Sequence, residues 1–398
     1  MISARYHVIY YAESFCALSE TYVYRTAQCL SSIAPTTILT HNRTHRGAFP
    51  DDGLNIHVEP RSSSLGARTL ALLGAWLRTK IKDSASIDSD LLLRLTDRGN
   101  EGLVFAQFGL AGVRALSATS AIGWPLIVNF HNCDLTTWLI FRGYAKNLEI
   151  LFRSPYTMFL APSRFIVDKL LALGAPDIRT RVYNNPIPIP ICLRNFEQRR
   201  RTVVFLHAGR LVPMKGIKYT LRAFADVVSD CDASLRVIGG GPEKDEAIAL
   251  ASNLGIEGRV TFLGAVDYSV VEREMGLADV LVQHSVTAEH GETEGLPVAF
   301  CEAMAHQLPI VSTRHAGIPE VVEDGVTGRL VPEKDIDSMA SAMRDLALDA
   351  NLRRRFGEQG RRVVEQKFSM AAAELELQKI ISDASLLANN LANKRYPG

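Results

Sequence analysis

Two glutamates, Glu294 and Glu302, bracket seven uncharged residues, GLPVAFC, near the middle of the second half of the chain. Ionised carboxylates accept hydrogen bonds, and hydroxyl groups donate them. If the segment were helical throughout, eight positions would separate the two carboxylates by about 12 Å, which is the span from a sugar past two phosphates to a ribose. The same spacing also fits an acid at a helix entrance followed by a solvated helical position.

A second group of residues follows predicted strands. Arg210 and Lys215 lie in HAGRLVPMKG after the run TVVFL, and GGGP at 239–242 follows SLRVI. Two fixed cations can neutralise a diphosphate, and glycines allow a phosphate or base to approach the backbone. A helix predicted to begin at Leu296–Pro297 adds free N–H groups and the positive end of a helix dipole. Taken separately, these features also fit two surface bases in a loop and a tight turn.

The elements that must position these residues alternate between apolar runs and helical patterns. Strand-like runs in the second half are TVVFLHAG, ASLRVIGGGP, RVTFLGA, ADVLVQHS and LPIVST, and those in the first half are RYHVIYYA, TTILT, LVFAQFG, PLIVNFHN and TMFLAPS. This alternation predicts parallel sheets covered by helices on both faces. We therefore expect an α/β protein with two doubly wound, Rossmann-like domains facing each other across a cleft. Ligands are then expected outside the carboxyl ends of the strands.

The length of 398 residues is typical of two or three domains. A proline-rich segment with a basic cluster, 184–201, predicts a linker between the halves. We predict an N-terminal acceptor-side domain over 1–190 and a donor domain over 191–375. The remaining residues, 376–398, are predicted to form a helix that packs back on the first domain.

Composition excludes several classes of protein. The chain contains no apolar run of about 18 residues, and its first residues lack the pattern of a secretory signal. Six cysteines without a CxxC pair favour a reducing compartment and argue against a disulfide framework or a zinc site. Residues 1–200 hold 22 Lys and Arg against 15 Asp and Glu, so that the net charge of +1 hides a basic first half. This asymmetry indicates an anionic partner or a chance imbalance on solvated faces.

The combination of motifs is more specific than any of them alone. The run HAGRLVPMKG, LRVIGGGPE, RVTFLG, ADVLVQHS and EGLPVAFCEAMAHQLPIVSTRHAGIPEVVEDGVTGRLV resembles the catalytic half of family-4 glycosyltransferases of the GT-B fold. The first half resembles the family more weakly, through SETYVYRTAQCL, FAQFGLAG, NFHNCD, APSRFIVDKLLALG and VYNNPIPI. These segments are similar to a bacterial subgroup that builds exopolysaccharide and lipopolysaccharide sugars.

The resemblance implies a role for each candidate residue. Glu302 holds the ribose hydroxyls of a nucleotide-sugar donor, and Glu294 contacts the transferred sugar. Arg210 and Lys215 bind the diphosphate, and His131 lines the reaction centre from the first domain. The other implied contacts to the nucleotide sugar are Ser19 in the phosphate-facing loop of the first domain, Leu263 near the base, and Gly240, Leu296 and Val298.

The resemblance also implies the reaction. Members of the family transfer a sugar with retention of configuration, usually without a divalent metal, and need no cofactor beyond the nucleotide sugar. We expect front-face attack by a hydroxyl of a glycan or polyprenyl-linked sugar acceptor, with the leaving diphosphate stabilised electrostatically. We expect no nucleic-acid partner. The expected location is cytoplasmic, with peripheral attachment to an anionic membrane surface through the basic, leucine-rich segments 65–82 or 138–153, which also fit core helices with solvated bases.

Departures from the family pattern and rival functions define what must be tested. Gln307 stands where glycine is usual after the helix, and a left-handed backbone there would cost roughly 1 kcal/mol. No glycine pair precedes Ser19, which weakens its assignment. The main rival is a GT-B-fold nucleotide-sugar epimerase or hydrolase that needs no acceptor. A metal-dependent transferase would use DSD at 88–90, and a non-catalytic sugar-nucleotide binder would not need all four charged residues.

Overall fold

All ten apolar runs predicted as strands form strands in a computed structural model of the chain. The structure describes residues 6–17, 20–59, 92, 95, 101–139, 142–191, 202–289 and 291–395. The chain divides into two units, Met1–Asn185 with Ala373–Gly398, and Pro186–Ala372. The boundaries predicted after residues 190 and 375 lie a few residues further along the chain. Each unit is built on one parallel sheet, as the alternating pattern predicted.

The first unit contains a seven-stranded sheet in the order β3-β2-β1-β4-β5-β6-β7. Its strands are β1 His7–Phe15, β2 Thr36–Arg43, β3 Asn55–Val58, β4 Gly102–Gln107, β5 Leu126–Asn129, β6 Thr157–Ala161 and β7 Thr180–Val182. Every residue of β4, β5 and β6 is buried, which is why these strands read as continuous apolar runs. The helices that cover it include α1 Thr21–Ile33, α2 Gly109–Ile122, α3 Arg142–Arg153 and α4 Arg164–Ala172.

The second unit contains a six-stranded sheet in the order β10-β9-β8-β11-β12-β13. Its strands are β8 Val203–Ala208, β9 Ala233–Ile238, β10 Val260–Gly264, β11 Val280–Val282, β12 Ile310–Thr313 and β13 Gly328–Val331. Its helices are α5 Ile217–Val228, α6 Lys244–Asn253, α7 Tyr268–Leu277, α8 Val298–Ala305, α9 Ile336–Leu348 and α10 Ala350–Lys367. Three strands were not predicted, β3, β7 and β13, and each is short and lies at the edge of its sheet.

The second sheet has a topological switch point between β8 and β11. The chain leaves β8 toward β9 on one side and later places β11 on the other side of β8. The loops after these two strands, 209–216 and 283–297, therefore diverge at the carboxyl edge of the sheet. Such a point leaves a crevice in which α/β proteins bind ligands.

The turn after α8 shows why Gln307 departs from the family pattern at a cost. Gln307 has a φ of 59°, and its N–H bonds to the carbonyl of Met304 while that of Leu308 bonds to Ala303. This is the Schellman arrangement, in which the left-handed position usually holds glycine. The backbone at Gln307 is therefore left-handed, which is the condition under which a residue other than glycine carries this cost.

The last helix, α11 Met370–Arg395, begins six residues before the predicted start at 376, and from Ala373 onward it belongs with the first unit. Ser385 on this helix hydrogen-bonds the hydroxyl of Tyr6 at 2.7 Å, and Glu374 accepts from Ser32 at 2.8 Å. In the described ranges, no helix combines the length and the apolar character needed to cross a bilayer.

The segment 138–153 is a core element rather than a free amphipathic surface. Tyr144, Leu148 and Leu151 of α3 are buried in the core of the first unit, and Arg153 is exposed. Of its large apolar side chains only Ile150, at 52 %, is largely exposed among those described. Of the two interpretations, a core helix with solvated bases is therefore the one that the structure has. The other segment, 65–82, lies outside the described residues.

Candidate functional site

Two of the four charged residues predicted to act together, Lys215 and Glu294, meet at the switch point of the second sheet. Lys215 ends the loop after β8, and Glu294 lies in the loop after β11. The Nζ atom of Lys215 lies 2.5 Å from Oε1 of Glu294. The two side chains are 12 % and 7 % exposed, so the pair is largely removed from water. The family resemblance implied that Lys215 binds a diphosphate and that Glu294 contacts a sugar, whereas in this structure the two side chains form an ion pair with each other.

A residue that the sequence did not single out, Gln283, completes this pair. Its side-chain amide donates to Oε1 of Glu294 at 3.3 Å and to Oγ of Ser285 at 2.7 Å. An ionised carboxylate only accepts, so the amide nitrogen must face Glu294. Oε1 of Glu294 is thus held by both Lys215 and Gln283. No described residue bonds its Oε2, which leaves that oxygen available to a hydroxyl group.

The backbone of Glu294 is held by a histidine from the next strand. The N–H of Glu294 donates to Nε2 of His315 at 3.1 Å, directly after β12. Because that nitrogen accepts, the ring proton lies on Nδ1, which bonds Oε1 of Glu333 at 2.6 Å. The other oxygen of Glu333 accepts from the N–H of Thr287 at 2.8 Å. Burial acts to raise the pKa of Glu333, but the hydrogen bonds from Thr287 and His315 lower it below its usual range.

Helix α8 begins one residue later than predicted. Val298 is its first residue, and Pro297 is the cap, with φ −70° and ψ 109°. Glu294 therefore lies in the loop before the helix, and the estimate of about 12 Å for a continuous helix does not apply. Glu302 lies within α8 at 7 % exposure, which rules out the alternative of a solvated helical position.

Arg210 and the glycine run flank the same edge of the sheet. Arg210 is exposed, and within the described part of the chain it forms no ion pair. Gly239 and Gly241 have φ of 133° and 152°, and a Cβ on them would lie 1.8 Å and 2.3 Å from carbonyl oxygens of the loop after β8. Gly240 differs, since a Cβ there would meet nothing closer than 3.6 Å. Packing therefore requires glycine at positions 239 and 241, whereas it would allow a larger residue in place of Gly240.

Three residues predicted to contact the ligand are apolar and belong to a hydrophobic cluster of the second unit. Leu296 is buried, whereas Val298 and Leu263 are half-buried, and all three pack in or against the cluster around Phe300 and Met304. Leu263 lies on β10, the edge strand furthest from Glu294 in the order of the sheet. Their contact with a ligand stays a prediction.

In the first unit, His131 follows β5 and is buried among aromatic rings. Its ring centroid lies 4.4 Å from that of Tyr22 and 4.9 Å from that of Phe108. The amide nitrogen of Gln107 lies 2.7 Å from its Nε2. Burial lowers the pKa of His131 to about 3, so the imidazole is neutral near pH 7. Its role at a reaction centre stays a prediction.

Asp134 fixes the loop that carries His131, and the sequence did not reveal it beyond its place in NFHNCD. Its carboxylate accepts from the N–H of His131 at 2.8 Å, the N–H of Gly109 at 2.9 Å and the hydroxyl of Tyr144 at 3.1 Å. Burial raises the pKa of Asp134 to about 7, although these hydrogen bonds act to lower it. The acid thus ties the start of α2 to the loop after β5.

Two predictions lie outside the described residues, namely Ser19 and the DSD segment at 88–90. Where the structure does describe the chain, no three His, Cys, Asp or Glu side chains are grouped as metal ligands would be. The expectation that no metal is needed stays a prediction.

Residues 194–363 match the family model described as glycosyl transferases group 1. The putative colanic acid biosynthesis glycosyltransferase WcaL of Salmonella typhimurium is 28% identical over 281 residues, which are 69% of each chain. The GDP-mannose-dependent alpha-(1-6)-phosphatidylinositol monomannoside mannosyltransferase of Mycobacterium tuberculosis is 31% identical over 279 residues, which are 67% of this chain and 69% of that protein.

A solved structure shares the fold over nearly the whole chain. Anabaena HepE, crystallised with UDP and glucose, superposes with a TM-score of 0.72 and 19% identity. The match covers 94% of this chain and 99% of that one. At this level of identity the similarity concerns the fold alone.

Proposed function

Because the chain belongs to the glycosyl transferases group 1 family and has the GT-B fold, we propose that it transfers a sugar with retention from a nucleotide-sugar donor to a glycan or lipid-linked glycan. The observation that carries this proposal is the cluster of Lys215, Gln283 and Glu294 at the switch point of the second sheet. At this edge Lys215 supplies a positive charge, and Glu294 has one carboxylate oxygen that can still accept a hydrogen bond. This pair suits a molecule in which phosphates are joined to a ring that carries hydroxyl groups.

In this proposal the cations act where negative charge develops. As the bond between the anomeric carbon and the diphosphate breaks, charge accumulates on the phosphate oxygens. Arg210 and Lys215 stabilise that charge more strongly in the transition state than in the ground state, which accelerates the step. Glu302 takes the ribose hydroxyls of the same nucleotide.

Glu294 serves as a hydrogen-bond acceptor for the transferred sugar rather than as a nucleophile. Its Oε1 is committed to Lys215 and Gln283, so Oε2 receives a sugar hydroxyl. The acceptor hydroxyl attacks the anomeric carbon from the face that the phosphate leaves. Its proton passes to the departing phosphate oxygen, and the new glycosidic bond keeps the configuration of the old one.

The biological setting is proposed from the relatives. The name of WcaL refers to colanic acid biosynthesis, and the name of the mycobacterial relative refers to phosphatidylinositol monomannoside. We propose that this chain builds a cell-surface polysaccharide or lipopolysaccharide on the cytoplasmic side of the membrane. The acceptor is then a glycan or a polyprenyl-linked sugar.

The decisive experiment is a screen of UDP, GDP and their common sugars, followed by product analysis. Thermal unfolding identifies the nucleotide, because a ligand at 100 times its Kd stabilises by about 2.7 kcal/mol. NMR of the product with a candidate acceptor then gives the anomeric configuration. Inversion, or formation of an epimer or free sugar without use of any acceptor, would contradict the proposal.

Metal dependence gives a separate prediction. Since Arg210 and Lys215 supply the positive charge that a metal would otherwise supply, transfer is expected to continue unchanged in excess EDTA. The measurement is the initial rate with and without chelator. Loss of the rate in EDTA, restored by magnesium or manganese, would contradict the role of the two cations.

A further inference from the structure

We propose that His315 and Glu333 form a hydrogen-bond relay that positions Glu294 for sugar transfer. They are positioning residues, since their hydrogen bonds go to the loop that carries Glu294 and both act through that loop. The inference rests on the proposed function of Glu294 and goes beyond it by naming what sets the place of its carboxylate.

The first step of the argument is that every hydrogen bond in the relay has a fixed direction. The N–H of Glu294 can only donate, so Nε2 of His315 must accept at 3.1 Å. The proton on Nδ1 then meets a carboxylate oxygen of Glu333 at 2.6 Å. The His315 side chain is 2 % exposed, so water does not replace either partner readily.

The second step is that Glu333 is itself anchored. Its second oxygen accepts from the N–H of Thr287, so it joins the loops after three neighbouring strands, β11, β12 and β13. The next residue, Lys334, donates its N–H to Nε2 of the buried His284 at 2.7 Å. The carboxylate of Glu333 therefore stands on a fixed backbone and holds the imidazole in one tautomer.

The consequence concerns the free oxygen of Glu294. A shift of this backbone moves Oε2 away from the sugar, while Lys215 and Arg210 stay in the loop after β8. Loss of the relay is therefore expected to lower kcat without weakening the binding of a nucleoside diphosphate.

The test compares two substitutions of nearly equal size, His315→Gln and His315→Met. The glutamine oxygen can still accept from the N–H of Glu294, and the methionine sulfur is a poor acceptor. We expect His315→Met to lower kcat about 100-fold, the usual result of displacing a catalytic group by ~1 Å. His315→Gln should keep kcat within about tenfold of the parent, and the Kd of UDP or GDP should stay within about threefold in both. Equal losses in the two variants, or a loss confined to nucleotide affinity, would overturn the relay.

Two further measurements keep the proposal testable if His315→Met folds poorly. The double variant His315→Ala with Glu333→Ala should lose less kcat than the product of the two single losses, because either substitution alone already breaks the relay. Nitrogen-15 NMR of the histidine rings reads the tautomer without any substrate, and His315 is assigned from the signal missing in His315→Gln. Protonation of Nε2 in the parent would overturn the relay. A parent that binds neither UDP nor GDP would instead count against the proposed function, leaving the NMR result to decide the relay.

Discussion

At the scale of single residues, Glu294 and Glu302 are expected to have different roles. Glu302 is buried within α8, and Glu294 is paired with Lys215 in a loop. Glu302→Ala is expected to weaken the binding of free nucleoside diphosphate by about 1–3 kcal/mol, which is the cost of a lost hydrogen bond to a charged group. Glu294→Ala should leave that affinity equal or higher, because it releases Lys215 for the phosphates, while kcat falls.

Calorimetric titration of UDP or GDP into both variants checks this division. The control is Glu320→Ala, which removes an exposed carboxylate of the same unit. A loss of affinity in Glu294→Ala as large as that in Glu302→Ala would contradict the assignment.

Asp134 gives a prediction about pH. Its pKa is raised to about 7 in the folded chain from an ordinary value near 3.8. Between these values the folded state holds a proton that the unfolded state has lost, so stability falls as pH rises and the contribution is gone above pH 7. Relative to Asp134→Asn, the parent should lose roughly 3 kcal/mol of unfolding free energy between pH 5 and pH 8. Urea unfolding of both proteins at the two pH values measures this, and parallel curves would contradict it.

What the sequence missed at this scale are contacts between distant loops. Arg210, Lys215, Glu294 and Glu302 carry the family pattern and were predicted from it. Gln283, His315 and Glu333 were not, because their hydrogen bonds join the ends of separate strands, and no local spacing encodes that meeting. The tautomer of His315 likewise follows only from knowing its two partners.

At the scale of elements, the sequence predicted the central strands and the edge strand β10, and it missed the three other edge strands, β3, β7 and β13. Strands β4, β5 and β6 are buried on both faces and read as apolar runs. The edge strand β3 has no fully buried residue, so its pattern is weak. The start of α8 was misplaced by one residue because proline fits both the cap and the first turn.

The glycine run after β9 supplies a prediction for this scale. Gly241→Ala is expected to destabilise the protein by on the order of 1–3 kcal/mol, since φ is 152° and the new Cβ would meet the Leu211 carbonyl at 2.3 Å. A Cβ in Gly240→Ala would make only ordinary contact, at 3.6 Å from its nearest neighbour, so this change should leave stability unchanged. If a nucleotide approaches this backbone, Gly240→Ala should nevertheless weaken the binding of that nucleotide about tenfold. Thermal unfolding with and without UDP or GDP separates the two effects, and unchanged affinity in Gly240→Ala would remove Gly240 from the site.

At the scale of the whole molecule, charge is distributed unevenly along the chain. Residues 1–200 carry 22 basic against 15 acidic side chains, and the remainder carries 22 against 28. A lipid-linked acceptor would be presented at an anionic surface, which attracts basic segments by about 1 kcal/mol per residue. Because α3 buries its apolar face, segment 65–82 is the better candidate for that contact, and its sequence holds four bases.

The prediction is that the protein binds anionic vesicles through this segment. Reversing Arg78, Lys80 and Lys82 to glutamate should weaken co-sedimentation with phosphatidylserine vesicles, and raised salt should do the same to the parent. A control triple reversal at Lys146, Arg153 and Arg164 changes the net charge equally on α3 and α4, and should weaken binding less. Equal recovery of the parent from anionic and neutral vesicles at low salt would contradict membrane attachment. Equal losses in the two triple variants would show that net charge, rather than the segment, attracts the protein to the surface.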